Sequence, residues 1–236
     1  MRNYLTIGGV DSRTYGVYIS GSGVFNSPSR AIELVNIPGR NGAIILDSYA
    51  RFDNIEVRYP AFIYSNFDSN LAAFRAILAR SGNYRKIVDS YHPDEYRMGV
   101  YIGGLEVTPT KRLNAGSFEI VFNCKPQRFL ASGDTVQTFT ADGTINNPTQ
   151  FSAGPLLRVY GAGTIGIGAG TITISQADVY TDIDCDLCLA YKGSINKNSF
   201  VSFPVYGGPV FGPGNNGVTL GTGITKIEIT PRWWTI

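Results

Sequence analysis

The chain has 236 residues, enough for one large β domain or two of ordinary size, and either can bury enough surface to stand without disulfides or a structural metal. Charged residues are 16% of it, against roughly 25% in an ordinary soluble domain, while 28 Gly, 14 Tyr and 13 Phe run high. The net charge of +2 comes without any run of five like charges, which excludes a basic tail or stripe for nucleic acid, and no run of 18 apolar residues marks a membrane span.

Low charge with many glycines and aromatics suits short strands, tight turns and a surface partly covered by partners. The opening MRNYLTIGGVDSR lacks the apolar run of a signal peptide, so synthesis and solubility in the cytoplasm are expected. Most of residues 1–125 alternates with a period of two. Between AIELVNI and AIILD stands PGRNG, whose Pro-Gly and Asn-Gly pairs predict a β-hairpin tip at residues 38–42. In NIEVRYPAFI, Ile55, Val57 and Tyr59 point one way while Glu56 and Arg58 point the other.

In NFDSNLAAFRAILARSGNY the period changes. Leu71, Phe74, Ile77 and Leu78 fall on one helical face, predicting an amphipathic helix over about 68–81, packed on a sheet. Asp68 or Ser69 is the expected cap and Gly82 the expected stop. In SFEIVFNC, Phe118, Ile120, Phe122 and Cys124 form an apolar strand face that suits a reduced thiol.

DSYHPDEYRMG, residues 89–99, holds the only histidine among three carboxylates. Asp89, His92, Asp94 and Glu95 could bind a metal or share acid–base work. Apolar alternation on both sides instead predicts a hairpin turn, with Pro93 fixing φ and an aspartate bonding local amides. One histidine cannot supply a two-histidine metal site, and no G-x-S-x-G elbow accompanies it. The expected role is a solvated loop tip or a subunit contact. A carboxylate pair for glycoside hydrolysis stays open, since any two of 18 acids can converge in a fold.

Residues 126–152, rich in Ser, Thr, Gly, Asn and Gln, predict a domain junction and then a first short strand. LLRVYG, TIGI, TITIS, VYTDIDC and TKIEIT follow at regular spacing and predict a second, all-β sandwich. GAGTIG, residues 161–166, matches the dinucleotide fingerprint to the letter, but the β-branched run after it predicts a hairpin turn rather than a phosphate-binding helix. Cys185 and Cys188 are spaced like a redox or zinc pair. Read as extended chain, they lie on opposite faces roughly 10 Å apart, so structural thiols are expected. In TKIEITPRWWTI, Ile227, Ile229, Pro231 and Trp233 share the core face, leaving Trp234 with a polar face. Its indole can cover a seam between domains or subunits, the favoured role, or stack on a sugar ring.

PGRNG, FDSNLAAFRAILARSGNYRKIVDSYHPDEYRMGVYIGGLEV and AGSFEIVFNCKPQRFL together resemble the distal tail protein (Dit) family of long, non-contractile-tailed phages. TDIDCD, FP, PGNN and ITPRWW are similar to that family's second domain. The resemblance implies a mainly β fold: an N-terminal ring-forming domain over 1–130 with one helix and a protruding hairpin, and a galectin-like β-sandwich over 131–236. It implies a homohexameric hub at the virion tail tip of a siphovirus, joining the tail tube to the tail-associated lysin or spike and the baseplate. The tape-measure protein and receptor-binding or accessory baseplate proteins are its further implied partners. DNA would pass the lumen without specific binding. No enzymatic activity, cofactor or metal is implied. The hairpin 31–46 carries over as a ring-forming belt, with Pro38, Gly39, Arg40, Asn41 and Gly42 as interface residues, and Trp234 is the interface residue expected from the register of the carboxyl-terminal strand. A carbohydrate-binding module recognising host-surface glycans is the alternative from a different class.

Overall fold

The computed structural model describes residues 2–21, 23–46, 51–204 and 207–236. Two compact units divide the chain, Met1–Arg128 with Ile236 and Phe129–Thr235. The fold is mainly β, with one α-helix among the described residues.

In the first unit the strands are β1 (Leu5–Ile7), β2 (Val10–Asp11), β3 (Val17–Ile19), β4 (Leu34–Asn36), β5 (Ala43–Ile45) and β6 (Ile55–Ile63). After helix α1 (Phe67–Ala79) come β7 (Arg85–Asp89), β8 (Glu95–Tyr101), β9 (Val107–Thr110) and β10 (Ala115–Leu130). One sheet runs β2-β1-β7-β8-β10-β6-β3, with β9 also on β10. Strands β6 and β10 pair antiparallel over nine residues, from Gly116 opposite Ile63 to Cys124 opposite Ile55. Their period-two pattern therefore buries Val57, Tyr59, Phe118, Ile120, Phe122 and Cys124 on one face, as the alternation predicts. Helix α1 covers that face with Phe67, Leu71, Phe74 and Leu78, and the Phe74 ring lies 6.2 Å from that of Phe118. Gly116 lets the helix approach, because a Cβ there would stand 2.3 Å from the Phe67 ring.

The helix differs from its expected limits at both ends. It starts after Asn66, whose side chain makes no cap, and the Phe67 amide instead donates to Asn114 Oδ1 at 3.2 Å. It stops at Ala79, where Arg85 Nη1 and Nη2 donate to the Ile77 and Leu78 carbonyls, both at 2.7 Å. Groups remote in sequence thus satisfy the helix ends that Asp68, Ser69 and Gly82 were expected to serve.

The second unit is a sandwich. Its strands are β11 (Gln137–Phe139), β12 (Gly143–Asn147), β13 (Leu156–Gly161), β14 (Gly163–Ile167), β15 (Gly170–Ile174), β16 (Thr181–Asp184) and β17 (Leu189–Lys192). Then follow β18 (Ile195–Asn196), β19 (Val201–Ser202), β20 (Gly214–Leu220) and β21 (Ile224–Thr230). One sheet runs β11-β21-β13-β16-β17-β18 and the other β12-β20-β14-β15-β19. Leu157, Val159, Ile227 and Ile229 from the first meet Ile145, Ile165, Ile172 and Val218 from the second in one buried cluster. The polar stretch 126–152 holds two short strands, one in each sheet, where a single one was expected.

Candidate functional site

In the hairpin 31–46, β4 and β5 form a two-stranded sheet of their own, paired to no other strand among the described residues. The tip is a type II turn: the Arg40 amide donates to the Ile37 carbonyl at 3.2 Å across Pro38 and Gly39, and Gly39 has φ +79°. Gly42 has φ +81°, a second left-handed residue in the same tip. Pro38, Gly39, Arg40, Asn41 and Gly42 are all exposed.

The flanking residues carry more information than the tip. Leu34 and Ile45 stand opposite each other on one face, each 58% exposed, and Ile32, Ile37 and Leu46 are exposed as well. None of the five belongs to the unit's core cluster. Sequence reasoning singled out the tip and missed that both faces of the hairpin carry exposed apolar residues, Leu34 and Ile45 on one, Ile37 and Leu46 on the other. Apolar residues at consecutive parities in AIELVNI were the available signal, since a hairpin with one wet face needs only alternate ones.

Trp234 is half-buried within the second unit. Its ring stacks on Phe151 at 4.5 Å and its Nε1 donates to the Ser152 carbonyl at 3.0 Å, so one indole face is already covered. Trp233 is buried, as the register past Pro231 predicts.

The histidine stretch is the turn between β7 and β8, antiparallel neighbours. Its acids serve separate tasks. Asp89 Oδ1 accepts from the Tyr91 and His92 amides, both at 3.0 Å, while Oδ2 accepts from the Tyr59 hydroxyl at 3.1 Å. Glu95 is ion-paired with Arg128, and Asp94 is exposed. His92 is not the solvated tip expected of it. Its Nδ1 lies 3.2 Å from Asp89 Oδ1, and the Phe25 ring meets it edge-on at 5.3 Å. The cavity lined by Asp89, His92, Glu95 and Arg128 measures about 10 Å³, room for a single water. Among the described residues, no three His, Cys, Asp or Glu side chains gather where they could hold a metal ion.

The two suggestive motifs have local explanations. GAGTIG is not a hairpin turn: β13 ends at Gly161 in one sheet and β14 begins at Gly163 in the other, so the glycines turn the corner between sheets. A Cβ at Gly161 would stand 2.1 Å from the Gly223 carbonyl oxygen, which leaves no room for a side chain, and a strand follows where a nucleotide site needs a helix. Cys185 and Cys188 do not lie in extended chain as expected. They are the first and last residues of the turn between β16 and β17, which Asp184 builds by accepting from the Asp186 and Leu187 amides at 3.0 and 3.2 Å. Both thiols are free, and burial pushes Cys185 up to about 12.

No protein-family model matches the chain, and no curated protein does. Solved structures do. The Dit protein of phage SPP1, described as a paradigm of hub adsorption apparatus in Gram-positive infecting phages, superposes with a TM-score of 0.74 at 13% identity over 100% of both chains. A chain of the phage P2 baseplate in its activated conformation with Ca gives 0.54 at 10% identity over 97% of both. The same baseplate with Sr gives 0.51, again at 10% identity over 97% of both chains. At such identities the likeness is one of fold. The chain has the fold of the phage Dit hub, along its whole length.

Proposed function

We propose that this chain is a structural virion protein, a hub at the distal end of a phage tail rather than an enzyme. Six copies form a ring continuing the tail tube. The tail-associated lysin or spike, the tape-measure protein and baseplate proteins dock on that ring, and the second unit serves as a galectin-like domain. The observation that carries this reading is the apolar β4–β5 hairpin, which lies outside any core in a chain that shares the hub fold from end to end. An isolated two-stranded hairpin is marginal in water, and a contiguous apolar surface of this kind marks an interface. The GAGTIG glycines and the histidine turn, two of the features that could have pointed to chemistry, both have structural roles.

Gold-labelled antibodies against the chain should decorate the tail tip of the intact particle. The solution mass, alone or with tail partners, should reach six times the 25.6 kDa protomer. Tails whose tips lack this polypeptide would sink the proposal.

A further inference from the structure

We propose that the outer face of the sheet β11-β21-β13-β16-β17-β18 is a binding site for a neutral oligosaccharide, with Arg158 and Tyr191 at its centre. The site lies wholly within the second unit and does not depend on the ring reading above.

Strand register aligns one residue from each strand in a row across that face: Thr138, Glu228, Arg158, Asp182, Tyr191 and Asn196. Every member is polar, and the charged ones are fixed by partners on the same face. Arg158 Nε and Nη2 donate to Asp182 at 2.7 and 3.0 Å, and its guanidinium lies 4.4 Å from the Tyr180 ring centre. Glu228 accepts from Lys226 Nζ at 2.7 Å and from the Tyr160 hydroxyl at 3.3 Å. Groups already held in place lose little freedom when a ligand arrives. Glu228, Arg158, Asp182 and Tyr191 line a depression of about 290 Å³, with Leu156 and Thr230 beside them. That is close to the lower limit of about 300 Å³ for a small-molecule site and suits two sugar rings. Sugar hydroxyls both donate and accept, and the guanidinium and carboxylates meet them with charge-assisted hydrogen bonds. The C–H face of a sugar ring needs an aromatic surface, which the half-buried Tyr191 brings to the depression. Two cations, Arg158 and Lys226, balance two anions, Asp182 and Glu228, so the face favours an uncharged ligand. The outer face of the other sheet is built differently. Its rows Thr219–Gly166–Thr171 and Thr164–Thr173–Ser202 hold only short uncharged residues, with no ring and no charge to orient a sugar.

The test titrates the isotope-labelled full chain with a panel of neutral di- and trisaccharides of hexoses and N-acetylhexosamines, following amide chemical shifts. At least one sugar should move amides of β13, β16, β17 and β21, with a Kd of about 1 mM or tighter. Glu228→Gln, which keeps the side-chain shape but replaces an acceptor oxygen by a donor, should weaken that sugar about tenfold. Tyr191→Ala should do so about five- to tenfold. Thr173→Ala, on the outer face of the other sheet, should leave the affinity within about twofold of the wild type. No shift from any sugar of the panel at about 10 mM would overturn the proposal. So would shifts confined to the surroundings of Trp234, undiminished affinity in both Glu228→Gln and Tyr191→Ala, or tighter binding of a phosphorylated sugar than of its neutral parent. None of these results bears on the ring, which the solution mass and the labelling of the tail tip decide separately.

Discussion

At the scale of the residue, Arg232 shows how the second unit holds its last segment. It adopts φ +59°, an uncommon conformation for a side chain of this size. Its Nη1 and Nη2 reach Asp184 at 2.9 and 2.8 Å, and its Nε donates to the Gly154 carbonyl at 2.8 Å. Burial pushes the Asp184 carboxyl up, but the hydrogen bonds and charge of Arg232 outweigh it and hold the group below its ordinary value. A depressed folded value means that the unfolded chain binds this proton first. The stabilisation is therefore complete above the unfolded value of about 3.9 and disappears as pH falls through the lower folded one. Asp184→Asn should be less stable than the wild type at neutral pH, and denaturant titrations should show the gap closing below about pH 4. A gap constant down to pH 2 would show that the carboxylate charge is not what matters. Arg232→Met, which removes the cation but leaves Asp184 its two backbone donors, should cost about 2 kcal/mol.

At the scale of the element, α1 depends on side chains that arrive from other elements. Asn114 precedes β10 and accepts from the first helical amide, while Arg85 in β7 donates to two carbonyls of the last turn. The cationic guanidinium also lies at the helix end that favours positive charge. Arg85→Met and Asn114→Gly should each lower stability by about 1 kcal/mol, with glycine keeping the φ of +47° that Asn114 adopts. Hydrogen exchange should quicken at the C-terminal turn in the first variant and at the N-terminal turn in the second. Uniform quickening along the helix would argue against separate caps. Local sequence showed where the helix runs but could not show these caps, which lie 47 positions from Phe67 and seven from Leu78.

At the scale of the whole molecule, each unit owns a core. Phe122 and Trp233 are buried in the first and second clusters respectively. Truncating a buried aromatic leaves a cavity that costs about 3–5 kcal/mol. Phe122→Ala should therefore raise hydrogen exchange across the sheet of the first unit, and Trp233→Ala across the sandwich, read peptide by peptide by mass spectrometry. Loss of protection spread evenly over residues 1–235 in both variants would show a single cooperative unit instead. The exposed apolar hairpin belongs to the first unit.

Sequence alone determined which faces of β6 and β10 are buried, where α1 runs, where PGRNG turns, and that no dinucleotide helix follows GAGTIG. These follow from side-chain period and turn sterics, which act over a few residues. Tertiary structure alone decided that β13 and β14 lie in different sheets, that Asn114 and Arg85 cap the helix, and that the turn between β16 and β17 separates the two cysteines. It also decided that Leu34 and Ile45 stay more than half exposed among the described residues. Pairing and exposure depend on which remote segments arrive at a surface, and a periodic pattern of apolar residues is the same whether its face meets a core or waits for another copy.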